Sequence, residues 1–372
     1  MSTRPRTLVA MSGGVDSAVA AALLRAVGHE TVGLHMRVWH HPTGEGFTKS
    51  CCSPADIRDA QAVARRLGIP LYVLDLEEVF EREVITPFVE AYRSGQTPIP
   101  CVLCNERLKL GTILKKASIY GASAVATGHY ARVERDGEGR WRLRRPRHRA
   151  KDQTYYLFSL TQEQLALFLT PLGNLTKGEV REQARALGLP VADKPDSAEI
   201  CFIPSGDYRD FLRSRVEESD AALQPGPFMT TDGQRLGTHR GIAHYTVGQR
   251  RGLGISAPRP LYVLEIRPES NTVILGEGDE TLGDRLSAGG VIWHEPPEAL
   301  EGRRLRAQIR ARHVAAPCRL RPTGETCFEV LFEEPQRSIA PGQAAVICDE
   351  ADETVVAGGW ILSPPGDRSS GH

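Results

Sequence analysis

The chain has 372 residues, 41% of them hydrophobic and 25% charged, with 46 basic against 46 acidic side chains and a formal net charge of zero. Those values exclude a long disordered protein, and no apolar stretch approaches the ~20 residues of a membrane span. They also mean that a nucleic-acid partner must be held by a local basic surface, because the whole molecule supplies no attractive field. Residues 1–6 pass too quickly into a core strand for a secretory signal. Eight cysteines in a chain of this length make no disulfide scaffold; in a reducing cytosol, the expected location, they indicate metal or redox chemistry or nothing at all.

The first predicted element is the apolar run Leu8-Val9-Ala10-Met11, read as a strand. Ser12-Gly13-Gly14-Val15-Asp16-Ser17 follows as a tight turn opening into the alanine-rich helix that begins at Ala18. Paired glycines let the backbone approach a ligand closely, and a helix N-terminus offers unpaired N–H groups to an anion. Ser12 and Ser17 add hydroxyls, and Asp16 is a candidate for Mg²⁺ carried by phosphates. No lysine follows, so this is not the loop that grips a β/γ-phosphate pair. The hexapeptide resembles the PP-loop of ATP pyrophosphatases; an ordinary strand-to-helix turn is the plain alternative.

Residues 31–38 read as a second strand, and 55–67 carry the helical spacing Ile57, Ala60, Ala64, Leu67, closed by Gly68-Ile69-Pro70. Leu71-Tyr72-Val73-Leu74 is a third strand, 108–119 a helix, and 122–127 a fourth strand. Alternating strands and helices imply a doubly wound parallel α/β sheet with its ligand at the carboxyl ends of the strands, where the glycine turn, Met36 and Gly128 all fall. From about Asp207 the pattern changes to short alternating runs between Gly/Pro turns. Residues 261–266 and 272–275 form a hairpin. In 304–312, Leu305, Ala307, Ile309 and Ala311 alternate with Arg304, Arg306, Gln308, Arg310 and Arg312, a strand with one apolar and one basic face. The expected organisation is a catalytic α/β domain over 1–206, a small β-rich domain over 207–284, a closed β-barrel over 285–362, and a disordered polar tail over 363–372.

Cys101 and Cys104 stand at CxxC spacing in a proline-fixed loop, and Cys201 follows 97 residues after Cys104. A CxxC is half a zinc site, a redox pair, or incidental. Zinc needs two further ligands; Cys51-Cys52 are available, but adjacent cysteines seldom close a tetrahedron together. Cys318, Cys327 and Cys348 fall on predicted strands as small buried side chains. Residues 140–151 are densely basic and, with 304–312, offer two candidate stripes for nucleic-acid phosphates.

The ordered segments Ser12-Gly13-Gly14-Val15-Asp16-Ser17, Cys51-Cys52-Ser53, Cys104-Asn105, Thr127-Gly128-His129-Tyr130, Lys151-Asp152-Gln153, Leu172-Gly173-Asn174-Leu175-Thr176-Lys177, 197–204 and 237–254 together resemble the bacterial tRNA-specific 2-thiouridylases. The resemblance covers nearly the whole chain and implies that the wobble uridine of tRNA exchanges its O2 for sulfur. It implies ATP bound by Ala10, Met11, Ser12, Gly13, Gly14, Val15, Asp16 and Ser17, with Met36 against the adenine and Gly128 permitting close approach. Plain core packing is the alternative for Met36. It implies Cys104 as the attacking thiolate, Cys201 as the persulfide carrier, and a Cys104–Cys201 disulfide that a cellular reductant reopens. Lys151, Asp152 and Gln153 are the implied tRNA contacts near the target base, joined by Arg310 and Arg312 on the second stripe, and a sulfur-carrier protein loads Cys201.

One departure stands out. Many members of that family carry Asn-Pro-Asp where this chain has Ile99-Pro100-Cys101, so the Asp available there as a general acid/base is missing. A thiol with a pKa near ~8.5 is a different acid from a carboxyl near ~4. Asp152 and His129 are substitutes, and Cys101 is a candidate redox partner of Cys104. Another PP-loop enzyme acting on a small molecule, or a zinc-containing nucleic-acid-binding module, are the competing readings.

Overall fold

The structure is a computed structural model and describes residues 4–39, 54–196, 200–203 and 206–363. The chain packs as two units, Met1–Ile85 with Pro100–Gly206, and Thr86–Ile99 with Asp207–His372. Cys51, Cys52 and Ser53, residues 197–199 and 204–205, and tail residues 364–372 lie outside the described residues.

In the first unit β1 (Arg6–Ala10), β2 (Glu30–Arg37), β3 (Leu71–Asp75) and β4 (Ala124–Ala126) form a parallel sheet. A hairpin of β5 (Arg132–Arg135) and β6 (Trp141–Arg144) follows β4, and β7 (Phe168–Leu169) completes the sheet in the order β3-β2-β1-β4-β7. At two residues, β7 is too short to leave a periodic signal. Strand order reverses at β1, so the crevice beyond the carboxyl ends of β1 and β4 is the topological switch point where such sheets take their ligands.

Helix α1 (Val15–Ala26) leaves the β1 turn directly, and α2 (Pro54–Leu67) precedes β3. Ala20 and Ala21 of α1 are fully buried, in one cluster with Val9 of β1, Val63 of α2 and Val180 and Ala184 of the helix Lys177–Ala186. Alanine serves α1 twice: it has the highest helix propensity, and its small side chain admits neighbours on several faces. Gly68 ends α2 at φ +62°, where its N–H and that of Ile69 return to the carbonyls of Arg65 and Ala64, the left-handed cap that glycine favours. The expected 108–119 helix is instead a wide i→i+5 helix over Cys104–Thr112 followed by an α-helix over Ile113–Ala117.

In the second unit β8 (Gly226–Met229), β9 (Arg235–His239), β10 (Tyr262–Arg267) and β11 (Thr272–Gly276) form a sheet in the order β10-β11-β8-β9. The expected hairpin is β10–β11, antiparallel. β12 (Leu282–Trp293), β13 (Arg304–Gln308), β14 (Ala316–Gly324), β15 (Cys327–Arg337), β16 (Ala344–Cys348) and β17 (Thr354–Ile361) run β12-β15-β14-β13-β16-β17 and close through β12–β17. Closure removes the exposed sheet edges. The segment Thr86–Ile99 belongs with this unit: the Tyr92 ring stacks on Tyr208 at 4.3 Å and Arg93 pairs with Asp220 at 2.6 Å. Among the described residues no helix is long and apolar enough to cross a membrane.

The barrel interior follows period-2 alternation: Phe328, Val330 and Phe332 of β15 are buried while Leu331 is 50% exposed. Phe328→Ala, which empties a fully buried ring site edge-on to Trp293, is expected to cost about 3–5 kcal/mol in urea unfolding. Leu331→Ala on the outer face is expected to stay within about 0.5 kcal/mol.

Candidate active site

The turn after β1 is shaped by close contacts that only glycine satisfies. Gly13 lies at φ +79°, and a Cβ there would sit 2.4 Å from the Asp56 carbonyl oxygen. Gly128, just beyond β4, presses on the same turn from the other side: a Cβ would lie 2.6 Å from the Ser17 nitrogen. Gly14 is the N-cap of α1 and supplies no side-chain cap, so the first-turn N–H groups remain available to an anion. Ser17 Oγ accepts from the Ser12 N–H at 3.2 Å and donates to the Gly14 carbonyl at 3.2 Å, fixing the loop. Ala10, Met11 and Val15 are buried; their side chains belong to the core, and only their backbone can meet a ligand. Met36, at the carboxyl end of β2, is half-buried, unlike the fully packed Leu34 and His35 before it.

The sequence motif lacks a lysine, and the fold supplies one from far along the chain. Thr176 and Glu179 form a capping box that sets Lys177 at the first position of its helix. Its Nζ lies 2.7 Å from both Asp16 oxygens and 2.8 Å from Asp196. Tyr130 OH donates to Asp16 Oδ1 at 2.8 Å. Asp196 also receives Lys151 at 2.6 Å and Arg181 at 3.1 Å. Burial works to raise the Asp196 pKa, but hydrogen bonds from Lys151 and Lys177 outweigh it and draw the carboxyl down to about 2. A second lysine, Lys194, donates to the Gly13 carbonyl at 3.0 Å, to Asp56 at 2.7 Å and to Asp59 at 2.5 Å, tying the glycine turn to α2. Lys177, Tyr130, Lys194 and Asp196 carry no role in the sequence reading. The Thr176-x-x-Glu179 spacing was the legible signal for Lys177; nothing local announced Lys194.

Cys101 is exposed, while Cys104 and Cys201 are partly buried, and all three are thiols. Cys104 opens the wide helix, whose next residue, Asn105, is 2% exposed. Asn105 donates to the Tyr156 carbonyl at 3.0 Å and accepts from Lys109 at 2.8 Å. Phe202, next to Cys201, is buried edge-on to Phe80 with ring centroids 5.6 Å apart. The helix Glu77–Phe80 also packs against Cys104–Thr112, so both cysteine-bearing segments are anchored on one element. Among the described residues no three His, Cys, Asp or Glu side chains form a metal-binding group.

The two substitutes for the missing Asp are both otherwise engaged. Asp152 accepts from Arg145 at 2.6 Å and from the Thr154 N–H and hydroxyl at 2.9 and 2.8 Å. His129 is bonded to Thr127 Oγ1 at 2.7 Å, and burial, with the Lys109 charge, holds its pKa well below the ordinary value; the ring is neutral at pH 7.

The basic runs look different once folded. Arg142 pairs with Asp136 at 2.6 Å, Arg144 with Glu134 at 3.1 Å and Arg147 with Glu179 at 3.1 Å. Arg145, 4% exposed, is held by Asp152, and Gln153 Oε1 accepts from the Tyr130 N–H at 2.8 Å. The strand expected over 304–312 ends at Gln308. Arg304 pairs with Glu333 at 2.9 Å, whereas Arg310 and Arg312 stand exposed in the following turn. The uninterrupted basic face is thereby corrected: Arg304 is paired, Arg306 donates to the Glu350 and Ala315 carbonyls at 3.1 Å each, and Arg310 and Arg312 lie beyond the strand.

Fold and site define a PP-loop α/β domain followed in the chain by two β modules. Residues 5–205 match the family described as tRNA methyl transferase HUP domain, 209–277 its PRC-barrel domain, and 284–361 the aminomethyltransferase beta-barrel domain. A tRNA-specific 2-thiouridylase of Koribacter versatilis is 48% identical over 95% of this chain and 98% of its own length. One from Syntrophotalea carbinolica is 50% identical over 95% and 97%. The chain belongs to the tRNA-specific 2-thiouridylase family. A solved 4-thiouridine synthetase–RNA complex with bound ATP overlaps it only weakly, at 19% identity, 57% and 51% coverage and a TM-score of 0.32.

The Asp196 cluster gives a pH prediction. Because its folded pKa lies below the unfolded carboxylate value of 3.8, its stabilising contribution is complete above about pH 4 and is lost as pH falls toward 2. Asp196→Asn is expected to remove that part of the acid limb in a stability-versus-pH series.

Proposed function

We propose that this protein is an ATP-dependent tRNA-uridine 2-sulfurtransferase acting on the wobble uridine. A uracil carbonyl oxygen is a poor leaving group. Attack of O2 on the α-phosphorus of ATP expels pyrophosphate and leaves an O2-adenylate; attack of sulfur at C2 then expels AMP. The glycine turn and the first-turn N–H groups of α1 would orient the phosphates and stabilise the charge developing on them. Lys177 stands where a phosphate-binding lysine is needed and would turn from Asp16 toward the incoming phosphates. Asp16 fits Mg²⁺ as the single protein carboxylate among phosphate and water ligands, and the ion would neutralise phosphate charge there. Half-buried Met36 offers a polarizable face to the adenine.

Sulfur arrives as a persulfide on Cys201 from a carrier protein. Its terminal sulfur either attacks C2 directly or is released as hydrosulfide when Cys104 attacks; both routes end in a Cys104–Cys201 disulfide that a cellular reductant reopens. Anchorage of both cysteine segments on the Glu77–Phe80 helix, within the unit that carries the glycine turn, is the observation that supports this chemistry most directly. Cys101, exposed and at CxxC spacing from Cys104, would serve as a redox partner: it would attack Cys104 of the disulfide, form Cys101–Cys104 and free the Cys201 thiolate. The target uridine must leave the anticodon stack to be reached.

Nucleoside mass spectrometry of unmodified tRNA incubated with the protein, Mg-ATP and sulfide tests the reading. The expected product is a uridine with one oxygen replaced by sulfur, dependent on ATP and, when a persulfide-loaded carrier replaces sulfide as the donor, absent with Cys104→Ser. Cys201→Ser should retain activity with free sulfide, which bypasses the carrier. Unchanged tRNA with continued pyrophosphate release would instead place the chain among PP-loop enzymes of small molecules. Lys177→Met is expected to slow pyrophosphate release by about 10²-fold, with Lys177→Arg recovering part of it. Cys101→Ser is expected to raise the reductant concentration needed for multiple turnovers; unchanged turnover and reductant dependence would make Cys101 a bystander.

A further inference from the structure

Most of the conspicuous basic residues in this chain are already paired. Arg142, Arg144, Arg145, Arg147 and Lys151 of the first run all have carboxylate partners within 3.1 Å. One basic segment, to which the sequence reading attached no role, is built differently. From 240 to 264 the chain contains Arg240, Arg250, Arg251 and Arg259 and no Asp or Glu. Arg259 pairs with Glu277 at 2.8 Å. Arg250 and Arg251 are exposed, and among the described residues neither has an ion-pair partner.

The loop bearing these two arginines is held rather than loose. Gly248 N–H donates to the Val263 carbonyl at 2.8 Å, and Val263 N–H to the Gln249 carbonyl at 3.0 Å, pinning the loop base to β10. Gln249 then acts as a strut: its Oε1 accepts from the Thr246 N–H at 3.2 Å and its Nε2 donates to the Arg251 carbonyl at 2.9 Å. Both sides of Arg250 are therefore fixed through one amide. Gly248, Gly252 and Gly254 all lie at positive φ, giving a tight path that L side chains rarely follow. Gly248 is also hemmed in, since a Cβ there would fall 2.6 Å from Ser338 Oγ. Leu253 is turned inward at 9% exposure, and beside it a concavity of about 410 Å³ is lined by Arg250, Gly252, Gly254 and Arg259.

We propose that this 248–254 loop is a phosphodiester-binding element that receives the tRNA backbone through Arg250 and Arg251; the assignment rests on the thiolation reading above. Guanidinium groups without carboxylate partners need not break an internal pair before meeting a phosphate, and each bonds phosphate oxygens bidentately. Preorganisation by Gln249 lowers the ordering cost of that contact. Contacts to phosphate oxygens carry no sequence information, so the element would position the tRNA and contribute sequence-independent, salt-sensitive affinity.

The test is equilibrium binding of unmodified tRNA across a salt titration, comparing wild type, Arg250→Gln/Arg251→Gln and Arg250→Lys/Arg251→Lys, with melting temperatures as the check on folding. Loss of two phosphate contacts should weaken binding at low salt and make the log–log salt slope shallower by about 1.4 to 1.8. The lysine pair should keep the wild-type slope. Wild-type affinity and slope in the glutamine pair, with wild type still forming 2-thiouridine, would overturn the loop assignment and leave the thiolation reading standing. A wild type that neither binds tRNA nor forms 2-thiouridine would overturn both.

Discussion

The contact between Lys177 and Asp16 organises the site. A glycine turn at a helix N-terminus attracts anions through its N–H groups, but this turn carries its own negative charge on Asp16 and no adjacent cation. Lys177, 161 residues away in sequence and 2.7 Å away in space, offsets that charge. It can do so because a capping box fixes the start of its helix and that helix packs on α1. Removing one member of a partly buried pair leaves the other charge uncompensated, which is costlier than the pair itself is stabilising. The same lysine reaches Asp196, a few residues before Cys201. Thus the glycine turn, the segment leading to Cys201, and Lys151 share one network of charge.

Steric fit sets the second constraint. Gly13 against Asp56 and Gly128 against Ser17 leave no room for a side chain on either flank of the turn, and Lys194 binds the Gly13 carbonyl from beneath. The loop is held from α2, from the end of β4 and from the residues just before Asp196. A loop fixed on three sides needs little reorganisation to receive an anion, and lack of reorganisation is what makes aligned backbone dipoles effective.

Charge shows most clearly how far linear reading carries. The run at 140–151 is dense in arginine, yet in the folded chain Asp136, Glu134, Asp152, Glu179 and Asp196 come to meet it. Those carboxylates lie both within a few residues and tens of residues away, so counting like charges along the chain overstates the free field. Arg250 and Arg251 were quieter in sequence, but no Asp or Glu lies between 240 and 264 and their loop is held by Gln249. Local density of charge and availability of charge are separate properties, and only the second bears on phosphate binding.

By itself the sequence determined the alternation of strands and helices, the glycine turn at the start of a helix, and the change to β structure near Asp207. Each of these is a short-range pattern, written in hydrophobic period, in glycine and proline placement, or in a contiguous motif. The tertiary structure alone decided that Lys177 completes the turn, that Asp152 serves buried Arg145, and that the 304–312 strand stops at Gln308. It also decided that the two-residue β7 exists and that Thr86–Ile99 packs with the second unit. Those outcomes depend on which distant side chains fold to within a few ångströms of one another, and electrostatic pairing and packing at that range leave no period or spacing in the chain to read.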